Sequence, residues 1–243
     1  MIRRGIELVL RGFAWAADYA FVVRWQLRNL LRRRPAWVAP EVEQAREAAT
    51  GNVVPVVLLP GIFESWRFME PLGVRLAEAG HPVHVVDLGL NRRPVVALAR
   101  RVSTAIERVG LQGAVIVAHS KGGLIGKQLM LDESRRAARS GATPRVLGMV
   151  AVNTPFGGSR YAGLIPLASV RAMRPRALRA FGAQRDVDDR ITSVYASWDP
   201  HVPEGSELPG AANVEVPHRG HFRILGIRAV QDAVLAAVEL TAR

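Results

Sequence analysis

The sequence of 243 residues contains no cysteine. Disulfides, thiolate-bound structural metal sites and a thiol nucleophile are therefore excluded. Acidic residues are also scarce, with 21 Asp and Glu against 33 Lys and Arg, which gives a formal net charge of +12. A charge of this sign favours anionic surfaces such as phospholipid headgroups or nucleic acid. With 49% hydrophobic residues, a chain of this length is predicted to bury a large core as one α/β domain.

The chain also lacks an apolar run of the roughly 20 residues that a membrane span requires. Its first 34 residues instead carry eight arginines, and Asp18 interrupts their most apolar stretch. A second basic cluster stands where a signal peptide would have its cleavage site, so we expect the segment to be retained. Its spacing predicts one long basic amphipathic helix, with an apolar face made of Ile2, Ile6, Val9, Phe13, Ala16, Ala20, Val23, Leu27 and Leu30.

Three surfaces are candidates for contact with this helix. It would lie on an anionic membrane, with Trp15, Tyr19 and Trp25 placed for the interface, or pack on the protein's own core or on a second subunit. Nucleic acid is not expected, because no recognition motif accompanies the basic residues. The predicted location is the cytoplasm or the inner face of the membrane, with secretion less favoured. The oligomeric state is left open.

Residues 1–52 are predicted to form this helix and a linker, with a short polar helix at 41–49, and residues 53–243 the main domain. Strand-like runs are predicted at 53–59, 82–86, 114–118, 146–152, 191–196 and 213–216, and helices at 68–79, 94–109, 123–140 and 227–240. This alternation indicates an α/β fold with a mostly parallel sheet and helices on both faces. In such a sheet, functional sites form at the carboxyl ends of the strands.

One predicted strand runs into a helix with no loop between them. The junction reads Ala118-His119-Ser120-Lys121-Gly122-Gly123. So abrupt a turn holds its middle residue in a strained conformation, projects its side chain from the sheet and requires small neighbours. Ser120 is that residue, and we interpret it as a nucleophile. The alternative is a serine that only caps the following helix.

A nucleophilic serine needs a base to accept its proton and a carboxylate to orient that base. In the order acid then base, Asp199 follows one predicted strand and His221 follows the last one. His218 is a rival base, but Gly220 gives His221 a flexible backbone, and Phe222 begins the final apolar segment. We therefore assign the base to His221.

The remaining acids and histidines near these strands are given structural interpretations. The rival acids Asp186, Asp188 and Asp189 precede their strand and are expected to be solvated loop charges or to lie at a helix terminus. His119 is expected to be buried, and His201 to be structural.

Attack on an ester carbonyl places negative charge on oxygen, which backbone N–H groups must stabilise. One donor is expected to be Lys121, whose side chain is expected to be solvated near the cleft. The second is expected in the loop after the first core strand, where Gly61 permits close approach and Pro60 has no N–H. Ile62 is the preferred donor there and Phe63 the second choice.

These motifs resemble the α/β-hydrolase superfamily, and within it small bacterial triacylglycerol lipases and esterases. The likeness is carried by residues 54–63, 115–124, 152–159 and 191–225. The abrupt turn at Ser120, here called the serine elbow, has Ala118 at its first small position. In this respect it is similar to one compact lipase subfamily. The resemblance implies a serine hydrolase of carboxylic esters that acts on acyl lipids through an acyl-enzyme, with no metal or organic cofactor.

Residues 160–190 lie where this fold inserts caps, and we expect a small cap there. Leu164 and Ile165, with Gly61 and Phe63, are predicted to bind substrate. Other apolar residues of the segment are candidates for the acyl pocket: Leu167, Val170, Met173, Leu178 and Phe181. The alternative is a pair of short helices that only covers the core.

Two other functions remain open on the sequence. An acyltransferase would use the same triad to give the acyl group to an alcohol and not to water. A non-catalytic lipid-binding protein is the second alternative, since fold does not fix function.

Overall fold

The structure is a computed structural model that describes residues 2–30, 35–36 and 53–243, with the side chains of the first helix described at 9–27. The predicted helical piece at 41–49 lies outside the described residues. The predicted division at residues 52 and 53 stays a prediction, because the connection between the two parts is not described. No helix among the described residues is long and apolar enough to cross a membrane.

The described residues form one six-stranded sheet in which all strands are parallel. The strands are β1 (Val56–Leu59), β2 (Val83–Val85), β3 (Ala114–His119), β4 (Val146–Val152), β5 (Ile191–Trp198) and β6 (Ala212–Arg219), in the spatial order β2-β1-β3-β4-β5-β6. The central strands β1 and β3 are wholly buried, as continuous apolar strands of a parallel sheet are. The predicted fold class is confirmed.

Seven α-helices occur among the described residues. They are α1 (Ile2–Leu30), α2 (Glu70–Glu78), α3 (Val95–Arg108), α4 (Lys121–Ser140), α5 (Ala168–Arg171), α6 (Pro175–Gly182) and α7 (Arg228–Thr241). Helices α3 and α4 build the apolar core on one face of the sheet, and α2 and α7 build the core on the other. The carboxyl ends of the strands remain open for a site between these layers.

Helix α1 docks on the domain by a face that its apolar periodicity does not identify. Ala14 and Asp18 are buried, and Phe21 packs against the core formed by α2 and α7. The described part of the predicted apolar stripe, between residues 9 and 27, faces outward, with Phe13 70% and Val23 56% exposed. The periodicity distinguished an apolar face of the helix from the opposite face, but it did not indicate which of the two packs on the protein.

Asp188 is not a solvated loop charge but begins the 3₁₀ helix Asp188–Arg190, so the alternative of a helix terminus is the one that describes it. Its carboxylate is buried and forms an ion pair of 2.7 Å with Lys127 of α4, which is buried as well. A buried charge requires such a partner, so Asp188 ties the segment before β5 to the core. Asp186 and Asp189 are exposed, as expected.

Candidate active site

Ser120 lies at the abrupt turn between β3 and α4, in a conformation rare for a residue with a side chain. Its φ is 52° and its ψ is −125°, a strained region that costs about 1–3 kcal/mol. Two glycines make the turn possible. A Cβ on Gly122 would lie 2.1 Å from the carbonyl oxygen of Leu59, and one on Gly123 would lie 2.1 Å from Oγ1 of Thr154.

The structure brings Ser120, His221 and Asp199 into one hydrogen-bonded line. Nε2 of His221 lies 2.9 Å from Oγ of Ser120, and Nδ1 lies 2.6 Å from Oδ2 of Asp199. All three residues are buried, and they follow β3, β6 and β5 at the same edge of the sheet. In this arrangement the imidazole has one nitrogen on the hydroxyl and the other on a carboxylate, as proton removal from a serine requires.

The second oxygen of Asp199 fixes the carboxylate in place. Oδ1 accepts the backbone N–H groups of His201, at 2.7 Å, and Val202, at 3.1 Å. The first oxygen is then left for His221. Because the acid is anchored by its own loop, it can hold the imidazole in one orientation and one tautomer.

Burial and charge act in opposite directions on His221. Burial by itself lowers its pKa, but the charge and hydrogen bond of Asp199, with smaller contributions from Glu64 and Asp18, raise the pKa above its usual value. The pKa of the neighbouring His201 is lowered to about 4, first by burial and then by the proximity of His221. His201 is therefore neutral near pH 7.

The backbone N–H of Ile62 is free to act as an oxyanion donor, whereas that of Phe63 is not. Phe63, at a φ of 61°, donates its N–H to the carbonyl of Leu90 at 2.9 Å. The N–H groups of Ile62 and Lys121 have no acceptor among the residues that the structure describes. Lys121 is the first residue of α4, where a helix leaves its N–H groups without a partner.

The side chain of Lys121 is not solvated, so that expectation is wrong. Its Nζ is buried and donates to the carbonyl oxygens of Asn91, at 2.7 Å, and Arg93, at 2.8 Å. Burial lowers the pKa of this amine to about 8. These two bonds tie the loop after β2 to the start of α4.

A second buried pair lies beside the triad and was not predicted from the sequence. Glu64 accepts the N–H of Gly61 at 2.8 Å, and its Oε2 lies 2.8 Å from Nδ1 of His119. The other nitrogen of His119 lies 2.9 Å from the carbonyl oxygen of His221. This chain of contacts fixes the loop after β1 relative to the backbone of the base.

Glu64, His119 and His221 also form the group of three that could hold a metal ion among the described residues, with ligand atoms within 4.8 Å of one another. Every ring nitrogen in the group already lies within hydrogen-bonding distance of an oxygen. We therefore assign the cluster to hydrogen bonding.

A cavity of about 340 Å³ opens onto Ser120 and His221. The volume falls at the lower end of the range for small-molecule sites. Its apolar wall draws on several segments: Val22 of α1, Ile62, Phe63 and Phe68, and Ala162, Ile165, Val170 and Met173 of the segment 160–190. The cavity thus offers an apolar compartment beside the serine hydroxyl.

The predicted substrate-binding residues are only partly brought to this cavity. Phe63 and Ile165 line it. Leu164 is 78% exposed and does not line it, and the N–H of Gly61 is occupied by Glu64. Within the segment 160–190, Leu178 packs into the core while Ile165 lines the cavity, and substrate binding by the segment stays a prediction.

Further residues of the site were missed or given ordinary roles. His201 lies with its ring centroid 4.9 Å from that of His221. Asn153, at a φ of 46°, donates to the carbonyls of Gly220 and His221 and accepts the N–H of Ala196. The rival base His218 lies within β6 and is not part of the triad.

Asp18 is the most distant of the missed residues. It is fully buried against the backbone of His221, whereas the sequence pattern indicated it only as a break in an apolar stretch. The sequence does offer a reason to expect a partner for Asp18, because a lone acidic residue inside an apolar helical stretch needs one if that helix packs on the protein.

Similarity in sequence to known proteins is found over a limited part of this chain. The sequence matches no protein-family model. It is 35% identical over 92 residues to a protein of Variovorax paradoxus (strain S110) named "Putative carbamate hydrolase RutD", a match that spans 34% of this chain and 35% of that protein.

Solved structures match over more of the chain. The Bacillus licheniformis lipase BlEst2 in mature form has a TM-score of 0.61 and 15% identity over 79% of this chain and 95% of its own. The metagenomic carboxyl esterase MGS0156 has a TM-score of 0.55 and 15% identity over 80% of this chain and 75% of its own. The chain has the α/β-hydrolase fold, and its structural neighbours include lipases and esterases.

Proposed function

We propose that the protein is a serine hydrolase of carboxylic esters, a lipase or esterase that acts on acyl lipids. The observation that carries the proposal is the line from Ser120 through His221 to Asp199, with contacts of 2.9 Å and 2.6 Å. It lies at the carboxyl edge of the sheet, at a strained serine elbow. A serine that served only as a helix cap would not need an aligned imidazole and carboxylate.

The reaction follows from these positions. His221 accepts the proton of Ser120 as Oγ attacks the ester carbonyl, and Asp199 stabilises the imidazolium that forms. The charge that develops on the carbonyl oxygen is stabilised by the N–H groups of Ile62 and Lys121. His221 then gives the proton to the departing alcohol, and water releases the acyl group from Ser120 by the same steps in reverse.

The acyl preference is supported by the cavity. More than half of its lining residues are apolar, among them Val22, Ile165 and Met173, although polar side chains such as Gln26 and Ser159 also reach it. Burial of an acyl chain there gains about 0.8 kcal/mol for each methylene. An acyl chain is the part of an ester substrate that matches such a surface, so we assign this cavity to the acyl group.

Labelling with a serine-reactive fluorophosphonate tests the proposed function. We expect one adduct, mapped by peptide analysis to Ser120, because among the described residues it is the serine whose hydroxyl lies against a histidine nitrogen. The adduct should be lost in His221→Ala. Ser140→Ala changes an exposed serine at the end of α4 and should label like the wild type. A folded wild type that forms no adduct would contradict the proposal.

Product analysis of an ester substrate then separates hydrolysis from acyl transfer. Free fatty acid as the product, with and without added alcohol, supports hydrolysis. A new ester that replaces most of the free acid when alcohol is present would assign the acyltransferase alternative.

We further propose that α1 binds an anionic membrane surface, which places the protein in the cytoplasm at the inner face of the membrane. The helix exposes Phe13, Val23 and Leu27 to solvent, and the basic residues of the same segment would meet lipid headgroups of opposite charge. An apolar stripe flanked by arginines matches this partner better than it matches water.

Sedimentation with vesicles measures this association. We expect binding to phosphatidylglycerol vesicles, weaker binding to phosphatidylcholine, and a loss of about tenfold or more in Phe13→Ser/Val23→Ser, because burial of each side chain contributes about 1.5–3 kcal/mol. Val109→Ser, which removes an exposed valine outside α1, should bind like the wild type. If light scattering instead shows a dimer of the wild type and a monomer of the double variant, the stripe binds a second copy of the chain.

A further inference from the structure

The carboxylate of Asp18 accepts three successive backbone N–H groups from the turn that carries His221. Oδ2 accepts the N–H of His221 at 2.9 Å, and Oδ1 accepts those of Phe222 and Arg223, both at 2.8 Å. The first bond joins residues 203 positions apart in the chain. Asp18 lies in the middle of α1 and is fully buried.

The turn after β6 is shaped to receive this carboxylate. Gly220 has a φ of 121°, and a Cβ at this position would lie 2.8 Å from Oδ1 of Asp18. Successive amides that converge in this way form a concave site for an anion. Hydrogen bonds to an ionised group are about twice as strong as neutral ones, so three of them offset the burial of the charge.

The opposite side of the same turn is held by other groups. The carbonyl oxygen of His221 lies 2.9 Å from Nε2 of His119 and accepts Nδ2 of Asn153 at 3.2 Å. The side chain of His221 is held by Asp199 and Ser120. Asp18 is thus the contact that fixes the N–H side of the histidine backbone.

We propose that Asp18 is a positioning residue for His221, so that helix α1 is a working part of the active site. The inference rests on the proposed function, because it assigns a role toward the base of that reaction. A small error in the position of a catalytic group lowers the rate steeply, by as much as about a hundredfold for 1 Å. A carboxylate that binds the base's own N–H controls that position directly.

The pH profile of activity distinguishes a positioning role of Asp18 from a purely structural one. His221 faces Asp199, Glu64 and Asp18, and the rings of His119 and His201 lie beside it. The Asp18 charge contributes to the raised pKa of His221. If that charge is removed, the pKa of the base falls. The acid limb of kcat/KM, which reports the base in the free enzyme, should therefore move to lower pH.

Asp18→Asn is the sharpest variant. Its side-chain oxygen can still accept from Phe222 and Arg223, while its NH₂ group faces the N–H of His221 and breaks that bond. With a short soluble ester we expect kcat to fall by about ten- to a hundredfold, KM to stay within about twofold, and the acid limb to lie at lower pH than in the wild type. Asp232→Asn, an acid-to-amide change on α7 that is exposed, should leave all three unchanged.

Phe21→Ala serves as the control for helix docking. Phe21 packs α1 on the domain, near Gly226, but does not touch the base. We expect it to lower the Tm without moving the acid limb when both are measured on the folded protein. A matching shift of the limb in Phe21→Ala would overturn the specific role of Asp18.

Asp18→Ala with added formate covers the case in which the asparagine variant folds poorly. Formate can occupy the space beside the three N–H groups, and we expect it to restore much of the lost kcat and the wild-type acid limb. Wild-type kcat and pH profile in both Asp18 variants, or folded Asp18→Ala that formate does not rescue, would overturn the inference. A wild type with no turnover at all would instead count against the proposed function.

Discussion

Ser120→Ala is expected to lower kcat for ester hydrolysis by about a millionfold, the scale seen when a triad nucleophile is removed. The alanine has no oxygen to form the acyl-enzyme, so only substrate binding and the oxyanion donors remain. The fold should survive, because the hydroxyl is bonded to Nε2 of His221 and to no other described group.

Initial rates with short-chain p-nitrophenyl esters measure the effect, and circular dichroism melts verify the fold. Ser140→Ala is the matched control, since it removes a hydroxyl at the exposed end of the helix that Ser120 precedes. Turnover in Ser120→Ala within tenfold of the wild type, in a preparation free of contaminating esterase, would contradict the assignment of the nucleophile.

Asp199→Asn should have the next largest effect, a loss of about ten-thousandfold in kcat. The amide oxygen would stay with the N–H groups of His201 and Val202, which now bind Oδ1. Its NH₂ group would then face Nδ1 of His221. The imidazole would be forced into the tautomer that carries its proton on Nε2, where it cannot accept the proton of Ser120.

The same kinetic assay over a range of pH measures this variant. Loss of the Asp199 charge also removes the main influence that raises the pKa of His221, so any remaining activity should have its acid limb at lower pH. Asp132→Asn, at a half-exposed carboxylate of α4 outside the site, is the control. Retention of more than a tenth of the wild-type kcat in Asp199→Asn would show that the carboxylate does not hold the base.

The strands of the sheet and the residues at its carboxyl edge were predictable because residues close together in the sequence indicate each of them. The strand 146–152 was predicted at the bounds that β4 has, since a short, wholly apolar run between polar segments has few other uses. Ser120, Asp199 and His221 were identified because each follows a strand end, and parallel strands gather their ends at one edge. Neighbouring residues in sequence were sufficient for each of these steps.

Contacts that join distant segments were not predictable in this way. The role of Asp18 depends on which face of α1 docks on the domain, and the apolar periodicity of the helix does not indicate that face. Glu64 and His119 meet across 55 positions, and the motif around Ser120, which includes His119, gives no indication of Glu64. The side chain of Lys121 was predicted to be solvated because lysine almost always is, and the two carbonyl oxygens that hold it come from a loop of no regular pattern.

The burial of Asp18 has a practical consequence for anyone who produces this protein. The change of pattern near residue 53 invites a shortened clone that starts at the first strand, and a bulky tag fused ahead of α1 is an equally natural choice. The shortened clone would leave three amide protons of the histidine turn without their acceptor. Poor activity of such a preparation would then result from the missing helix and not from the residues of the triad, so α1 has to be kept when activity is measured.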